Sequence, residues 1–130
     1  MVATLSWNPK EPSRVDAQCI EVDQVTREGK YTHVLVPSVV ALYRGEGWVG
    51  EGAKRLRADA SARMDQNRSI FYECKNDIGS KRTYHRAPEG FRSPSEIGGH
   101  VLRFLKQAAV TDDPTPVART VVTVPASFQI

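Results

Sequence analysis

"SPSEIGGHVLRFLKQAAV" (residues 93–110) carries the clearest local signal in the chain. Ser93 is placed to cap a helix, Pro94 suits its first position, and Glu96 completes a Ser-x-x-Glu capping box. Ile97, Val101, Leu102, Leu105 and Ala108 then recur three or four residues apart. That spacing draws one apolar stripe along a helix, which must pack against something. The stretch that follows, "TDDPTP" (111–116), stops the helix. "ARTVVTV" (118–124) contains an unbroken β-branched run, Thr120 to Val124, and is expected to be a strand buried on both faces.

Upstream the pattern is mostly strand. "VATLSW" (2–7) and "AQCIEVDQVT" (17–26) are expected to pair as a hairpin across the proline-rich turn "NPKEPS" (8–13), with "REGKYT" (27–32) as a loop. "HVLVPSVVALY" (33–43) is interrupted by Pro37, so it is an edge strand or bends there. "RGEG" (44–47) turns into a short strand, "WVG". From Glu51 the period changes: Ala53, Leu56, Ala60 and Met64 predict a helix over "EGAKRLRADASARM" (51–64). A second short helix is expected around "ECKNDIG", ending near Gly79, followed by a loop or short hairpin over 80–92. Strands, helices and a closing strand make the fold mixed α/β.

Composition narrows the classes of function. The chain has 130 residues, enough for one domain with a real core. Its hydrophobic content of 40% and charged content of 25% are those of an ordinary globular protein. No apolar run is long enough to cross a membrane, and the N-terminus lacks a secretory layout. Cys19 and Cys74 have no metal-ligand spacing and are expected to be reduced thiols of a cytoplasmic protein. His33, His85 and His100 are scattered, so no metal site is expected. "RGEGWVGEG" lacks the Lys-Ser/Thr of a phosphate loop and reads as a strand-to-helix turn using Gly45, Gly47 and Gly50. The net charge of +3 calls for no polyanionic partner. One basic stretch, "GSKRTYHR" (79–86), interleaves Lys81, Arg82 and Arg86 with Tyr84 and His85. It supports an alternative in which the chain is a small basic nucleic-acid-binding module.

Five short stretches in order add a resemblance. "VPSVVALY" (36–43), "WVGEGAKRL" (48–56), "CKNDIG" (74–79), "FRSPSEIGGHVLRFLKQAA" (91–109) and "VVTVPASF" (121–128) resemble the seventy-kilodalton heat-shock chaperones, the DnaK-like family. There a Pro-Ser-Val-Val strand precedes a Gly-x-x-Ala-Lys turn and helix. An Ala-Lys-Arg-Leu-Ile-Gly element, a Ser-Pro-x-Glu helix and a Thr-Val-Pro-Ala strand follow. The match spans residues 33–128, about three-quarters of the chain.

The resemblance implies part of lobe I of an actin-like nucleotide-binding domain, a fold with a ribonuclease H-like inner sheet. On that reading residues 1–130 form one partial domain: 1–32 and 117–130 supply inner-sheet strands, and 33–116 a trimmed outer subdomain with its connecting helix. Lys75 matches the family lysine that reaches the γ-phosphate of ATP and the attacking water, which would make it the catalytic and cofactor-binding residue. Pro125 matches the proline used as a conformational switch. Whole chaperones of this family use ATP and magnesium. They act on unfolded client peptides with a J-domain co-chaperone and a nucleotide exchange factor.

Departures from the family pattern qualify these expectations. The Arg-Leu after the lysine is Asn76-Asp77 here, placing an acid where it can pair with Lys75 and keeping a non-hydrolysing actin-like scaffold as an alternative. Ser127 replaces an aromatic, and the 79–91 stretch is short, as in a divergent bacterial branch. The first phosphate loop is expected before "VATLSW", and the second loop, the adenosine pocket and the peptide-binding domain beyond Ile130. The expectation is a lobe-I fragment, excised or truncated, that binds ATP very weakly or not at all when alone. Exposed strand edges are expected to let it self-associate, which light scattering at high concentration would reveal.

Overall fold

Three consecutive β-hairpins begin the chain, and the turn chemistry of each is local. The computed structural model describes residues 1–117 and 119–126. Strand β1 (Ala3–Asn8) pairs antiparallel with β2 (Glu11–Cys19). Their turn is an Asx turn in which the Lys10 N–H donates to Asn8 Oδ1 at 3.0 Å. The chain then turns at Ile20 and Glu21 and starts a second hairpin, β3 (Val22–Thr26) with β4 (Gly29–His33). The Thr26 hydroxyl closes this hairpin, donating to the Gly29 carbonyl at 2.6 Å and accepting from the Glu28 N–H. Strand β5 (Val40–Tyr43) turns through Arg44 and Gly45 into β6 (Glu46–Val49). Both turn residues have positive φ, 52° and 79°, as a two-residue type I′ hairpin requires.

Two expectations for this region are corrected. Residues 2–7 pair with 11–19 rather than with 17–26, and "REGKYT" contains strand β4 rather than only a loop. The reason is visible in β3, where Val22, Gln24 and Thr26 point inward and Val25 is 67% exposed. The buried face therefore contains two polar residues, and the observed arrangement satisfies both: Gln24 bonds Leu35 and Glu51, and Thr26 bonds Gly29 and Glu28. Pro37 does break its run: residues 34–39 carry no strand, and β5 starts at Val40.

The core lies on the two faces of a three-stranded sheet, β6–β5–β7, where β7 is Ile70–Phe71. Alternation along β5 assigns its residues to opposite sides. Val39 and Ala41 pack with Ala53 and Leu56 of helix α1 (Glu51–Ala58) and with Ile70. Val40 packs with Phe71, Cys74, Tyr84, Ala87 and Ile97, the last from helix α2 (Pro94–Asp112). A helix thus lies on each face of the sheet. Hairpin β3–β4 packs alongside α1, held by Gln24, which is fully buried. The Gln24 amide donates to the Leu35 carbonyl at 3.0 Å and its oxygen accepts the Glu51 N–H at 2.9 Å, which satisfies the first turn of α1.

Helix α1 is shorter than its apolar spacing predicts. It stops at Ala58, and a 3-10 turn, Ala60–Ala62, follows. Asp59 causes the break: its carboxylate accepts the Ser61 N–H at 2.8 Å and hydroxyl at 2.6 Å, and it also pairs with Arg27. Among glycines of the strand-to-helix turn, Gly45 and Gly50 have positive φ while Gly47 lies within β6. The "ECKNDIG" region forms a single 3-10 turn, Cys74–Asp77, with Gly79 at φ 91° just beyond. Residues 80–92 form a loop without strand, pinned by the Tyr84 N–H donating to the Arg92 carbonyl at 2.7 Å.

Helix α2 follows its sequence signals closely. Ser93 caps it, accepting the Glu96 N–H at 3.2 Å, and Glu96 reaches back to the Ser93 N–H at 3.0 Å. Of its apolar stripe, Ile97 is fully buried, Val101, Leu105 and Ala108 are half-buried, and Leu102 is exposed. The expected buried strand at 118–124 is not found among the described residues of that stretch. Residues 119–124 have no ladder partner, and Val121 is 87% exposed. A strand apolar on both faces needs a layer on each side, and the layers described here are filled by β5 and its helices. Residue 118 and residues 127–130, including Ser127, lie outside the described residues. The architecture is mixed α/β, built from small antiparallel sheets and two α-helices.

Candidate functional site

Lys75 stands on the Cys74–Asp77 turn, and the turn is fixed from below and from the side. Cys74 sits beneath it in the core, with Phe71, Tyr84 and Ile97. A 3-10 turn has about three residues per revolution, so burying Cys74 directs Lys75 and Asn76 outward. Both are exposed. From the side, Asp77 accepts a hydrogen bond from Arg82 at 2.7 Å, and Ser80 donates its N–H and hydroxyl to the Asp77 carbonyl at 3.0 and 2.7 Å. The acid expected to pair with Lys75 is therefore committed to Arg82. Among the described residues Lys75 forms no ion pair.

Chemically, the site is an exposed ammonium, without an ion pair among the described residues, on a turn anchored through Cys74 and Asp77. It can offer electrostatic stabilisation to an anion. The neighbouring thiol adds no nucleophile, because burial pushes the Cys74 thiol up and holds it protonated. Burial likewise pushes the Tyr84 phenol up, reinforced by the adjacent Cys74 thiol. Cys19, the other free cysteine, is exposed on β2.

Pro125 is half-buried at the end of the 119–125 segment. No hydrogen bond, ion pair or core cluster among the described residues joins it to Lys75. The two residues singled out in the sequence are thus placed independently. In the basic 79–86 stretch, Arg82 binds Asp77 and Arg86 binds Asp65, each at 2.7 Å. Both arginines carry carboxylate partners, and Tyr84 is buried. That leaves Lys81 and His85 as its exposed basic members without an ion pair among the described residues.

Two of the three histidines serve the fold. His33 Nδ1 accepts the Leu35 N–H at 3.0 Å, and His100 bonds the Gly90 carbonyl through Nε2 at 2.8 Å while stacking on Phe91. Among the described residues no three His, Cys, Asp or Glu side chains are grouped to hold a metal. Nor is any helix long and apolar enough to cross a membrane.

One concave feature went unread in the sequence. A groove of about 320 Å³ runs between α2 and strand β6, lined by Val49, Phe91, His100, Arg103, Phe104 and Gln107 among others. Its signal was present: His100, Arg103, Phe104 and Gln107 recur at helical spacing. Mixed polarity hid it beside the purely apolar stripe.

Comparison with known proteins bears on the family of the chain. No family model matches the chain. It is 34% identical over 92 residues to the chaperone protein DnaK of Metamycoplasma hominis, covering 71% of this chain and 14% of that one. The DnaK of Mesomycoplasma hyopneumoniae is 35% identical over 92 residues, with the same coverage. That of Mycoplasmoides gallisepticum is 32% identical over 104 residues, covering 78% of this chain and 16% of the relative. The chain therefore spans about one-seventh of the length of the curated relatives it matches. Coverage of most of this chain, at about a third identity and in several relatives, agrees with the five motifs read in order. By sequence, the chain belongs to the DnaK-like chaperone family.

Proposed function

We propose that this chain is part of the first lobe of a DnaK-like, actin-type ATPase, and that Lys75 is its contact to the γ-phosphate. The observation that carries the proposal is the state of Lys75. It is exposed and forms no ion pair among the described residues, and it is mounted on a turn whose Cys74 lies in the core and whose Asp77 is held by Arg82. A fixed cation stabilises charge spread over the oxygens of a phosphoryl group in flight. In a whole chaperone of this type, hydrolysis of magnesium-bound ATP drives closure of the lobes and retention of a client peptide, with a J-domain co-chaperone and a nucleotide exchange factor as partners. Pro125 would relay that closure, and the setting would be cytoplasmic.

The residues described fit only one corner of an ATP site. Phosphate recognition needs several backbone N–H groups converging on one point. The glycines with positive φ belong to hairpin turns, helix entry and loop ends rather than to such a nest. No carboxylate cluster is present among the described residues to organise magnesium. The 130-residue chain alone is therefore expected to give no micromolar binding in calorimetric titration with magnesium-ATP.

The functional test is a chimaera. The matched segment replaces its counterpart in the Metamycoplasma hominis DnaK, and ATP hydrolysis is measured with and without Lys75→Ala. An active chimaera that loses about a hundredfold or more in rate supports the assignment, since removing one electrostatic contact commonly costs that much. An active chimaera indifferent to Lys75→Ala refutes it.

A further inference from the structure

We infer that Arg82 is a positioning residue for Lys75: by capturing Asp77 it keeps that carboxylate from neutralising the lysine. The inference rests on the proposed role of Lys75 for its importance, but not for its truth.

Three observations carry it. First, Asp77 lies two residues from Lys75 on one 3-10 turn and is half-buried, so its charge cannot simply be left to solvent. Second, the Asp77 carboxylate accepts from Arg82 Nη1 at 2.7 Å, whereas Lys75 forms no ion pair among the described residues. Third, Arg82 is itself held in place. Its N–H donates to the Ser80 hydroxyl at 3.4 Å, the same hydroxyl that donates to the Asp77 carbonyl at 2.7 Å, and its guanidinium lies 5.6 Å from the Tyr84 ring centre. Tyr84 is 4% exposed and anchored in the core that also holds Cys74. The guanidinium is thus stationed between an anchored ring and the carboxylate. The planar fork of arginine suits this better than a flexible ammonium, although either would carry the charge.

The consequence is electrostatic. Residues two apart in a 3-10 turn project to different sides, which keeps Asp77 and Lys75 apart while Arg82 is present. Arg82 is the only side chain bonded to the Asp77 carboxylate among the described residues, so without it the flexible four-carbon ammonium of Lys75, two residues away, becomes a competing partner. Opposite unit charges about 6–7 Å apart in water attract enough to change an amine's free-base fraction about two- to threefold.

The test reads the amine directly and needs no nucleotide. The folded 130-residue chain is treated with a trace of an amine-acylating reagent at pH 8, and acylation at Lys75 is measured by peptide mass spectrometry relative to Lys106. Arg82→Gln is expected to slow Lys75 acylation about two- to threefold. Arg82→Gln with Asp77→Asn is expected to restore the parent rate, and Arg82→Lys to stay near it. The side chain of Arg82 is about half exposed, and circular dichroism checks that each variant remains folded. An unchanged rate in Arg82→Gln overturns the inference, and so does a slowed rate that Asp77→Asn fails to restore. If the rates behave as expected but the chimaera ignores Lys75→Ala, the phosphate role fails while the Arg82 assignment stands.

Discussion

Replacing Gly52 by alanine sets two opposite effects against each other, and the geometry decides which wins. Gly52 lies inside α1, where alanine should improve helix propensity by about 1 kcal/mol. A Cβ built there falls 2.0 Å from the Val25 carbonyl oxygen and 2.8 Å from Trp48 Cε3. The closest obstacle is backbone rather than the end of a flexible side chain. Restoring ordinary contact requires α1 and β3 to separate by about 1 Å, and packed interiors resist that. Overpacking of this kind typically costs about 1–3 kcal/mol.

The separation also stretches the 2.9 Å bond from the Glu51 N–H to Gln24, a residue with no solvent to replace it. That loss adds about 1 kcal/mol. The balance is a destabilisation of about 1–3 kcal/mol once the helix-propensity gain is set against these costs. The assay is urea unfolding followed by tryptophan fluorescence, to which Trp48 contributes beside the substitution. The midpoint should fall by about 1–2 M. Gly99→Ala in α2 is the control: nothing lies within 4 Å of its added Cβ, and the residue is in the middle of a helix. It should stabilise by up to about 1 kcal/mol. A Gly52→Ala protein as stable as the parent, with unchanged denaturant slope, would show that α1 and β3 are not packed as described.

Other consequences follow from the same contacts. Gln24→Leu keeps much of the volume but leaves the Glu51 N–H and Leu35 carbonyl without their partner, and should cost about 2 kcal/mol in the same urea titration. No measurable loss would mean that water or another group satisfies both. Ser93→Ala removes one half of the α2 capping box and should lower stability by about 1 kcal/mol, with Ser93→Gly costing less. Equal losses in the two variants would argue against the cap. Asp59 is held down to about 2 by hydrogen bonds from Ser61 and then by Arg27. A carboxyl depressed in the folded state contributes stability above its unfolded value near 3.8, and loses that contribution as the pH falls towards 2. Asp59→Asn should therefore flatten the decline in urea midpoint between pH 4 and 2. A decline as steep as the parent's would assign the acid sensitivity to other groups.

How much of this was legible in the sequence depended on the range of the forces involved. The start of α2 could be read because a capping box is complete within four residues, Ser93 to Glu96. The break at Pro37 and the Arg44-Gly45 turn are local in the same way. The β3 register was missed because its inward face contains Gln24 and Thr26. A hydropathy pattern scores such residues as surface, and their partners are Leu35, Glu51 and Gly29. The early end of α1 was missed because Asp59 competes through Ser61 and Arg27, the second of which is 32 residues away in the chain. At the site, the sequence singled out Lys75 and recognised that Asp77 threatened it. It offered no means of choosing between Lys75 and Arg82 as the partner of that acid.

The sequence by itself determined the mixed α/β character, the α2 cap, the family and the identity of the candidate lysine, because each depends on neighbouring residues or on motifs in fixed order. Tertiary structure alone decided which strands pair, why a glutamine lies in the core, and why Asp77 pairs with Arg82 rather than with Lys75. Those outcomes depend on which distant groups reach a buried or half-buried polar atom first. Burial makes an unpaired polar group costly, so the fold selects the arrangement that satisfies Gln24 and Asp77, and the exposed lysine is what remains.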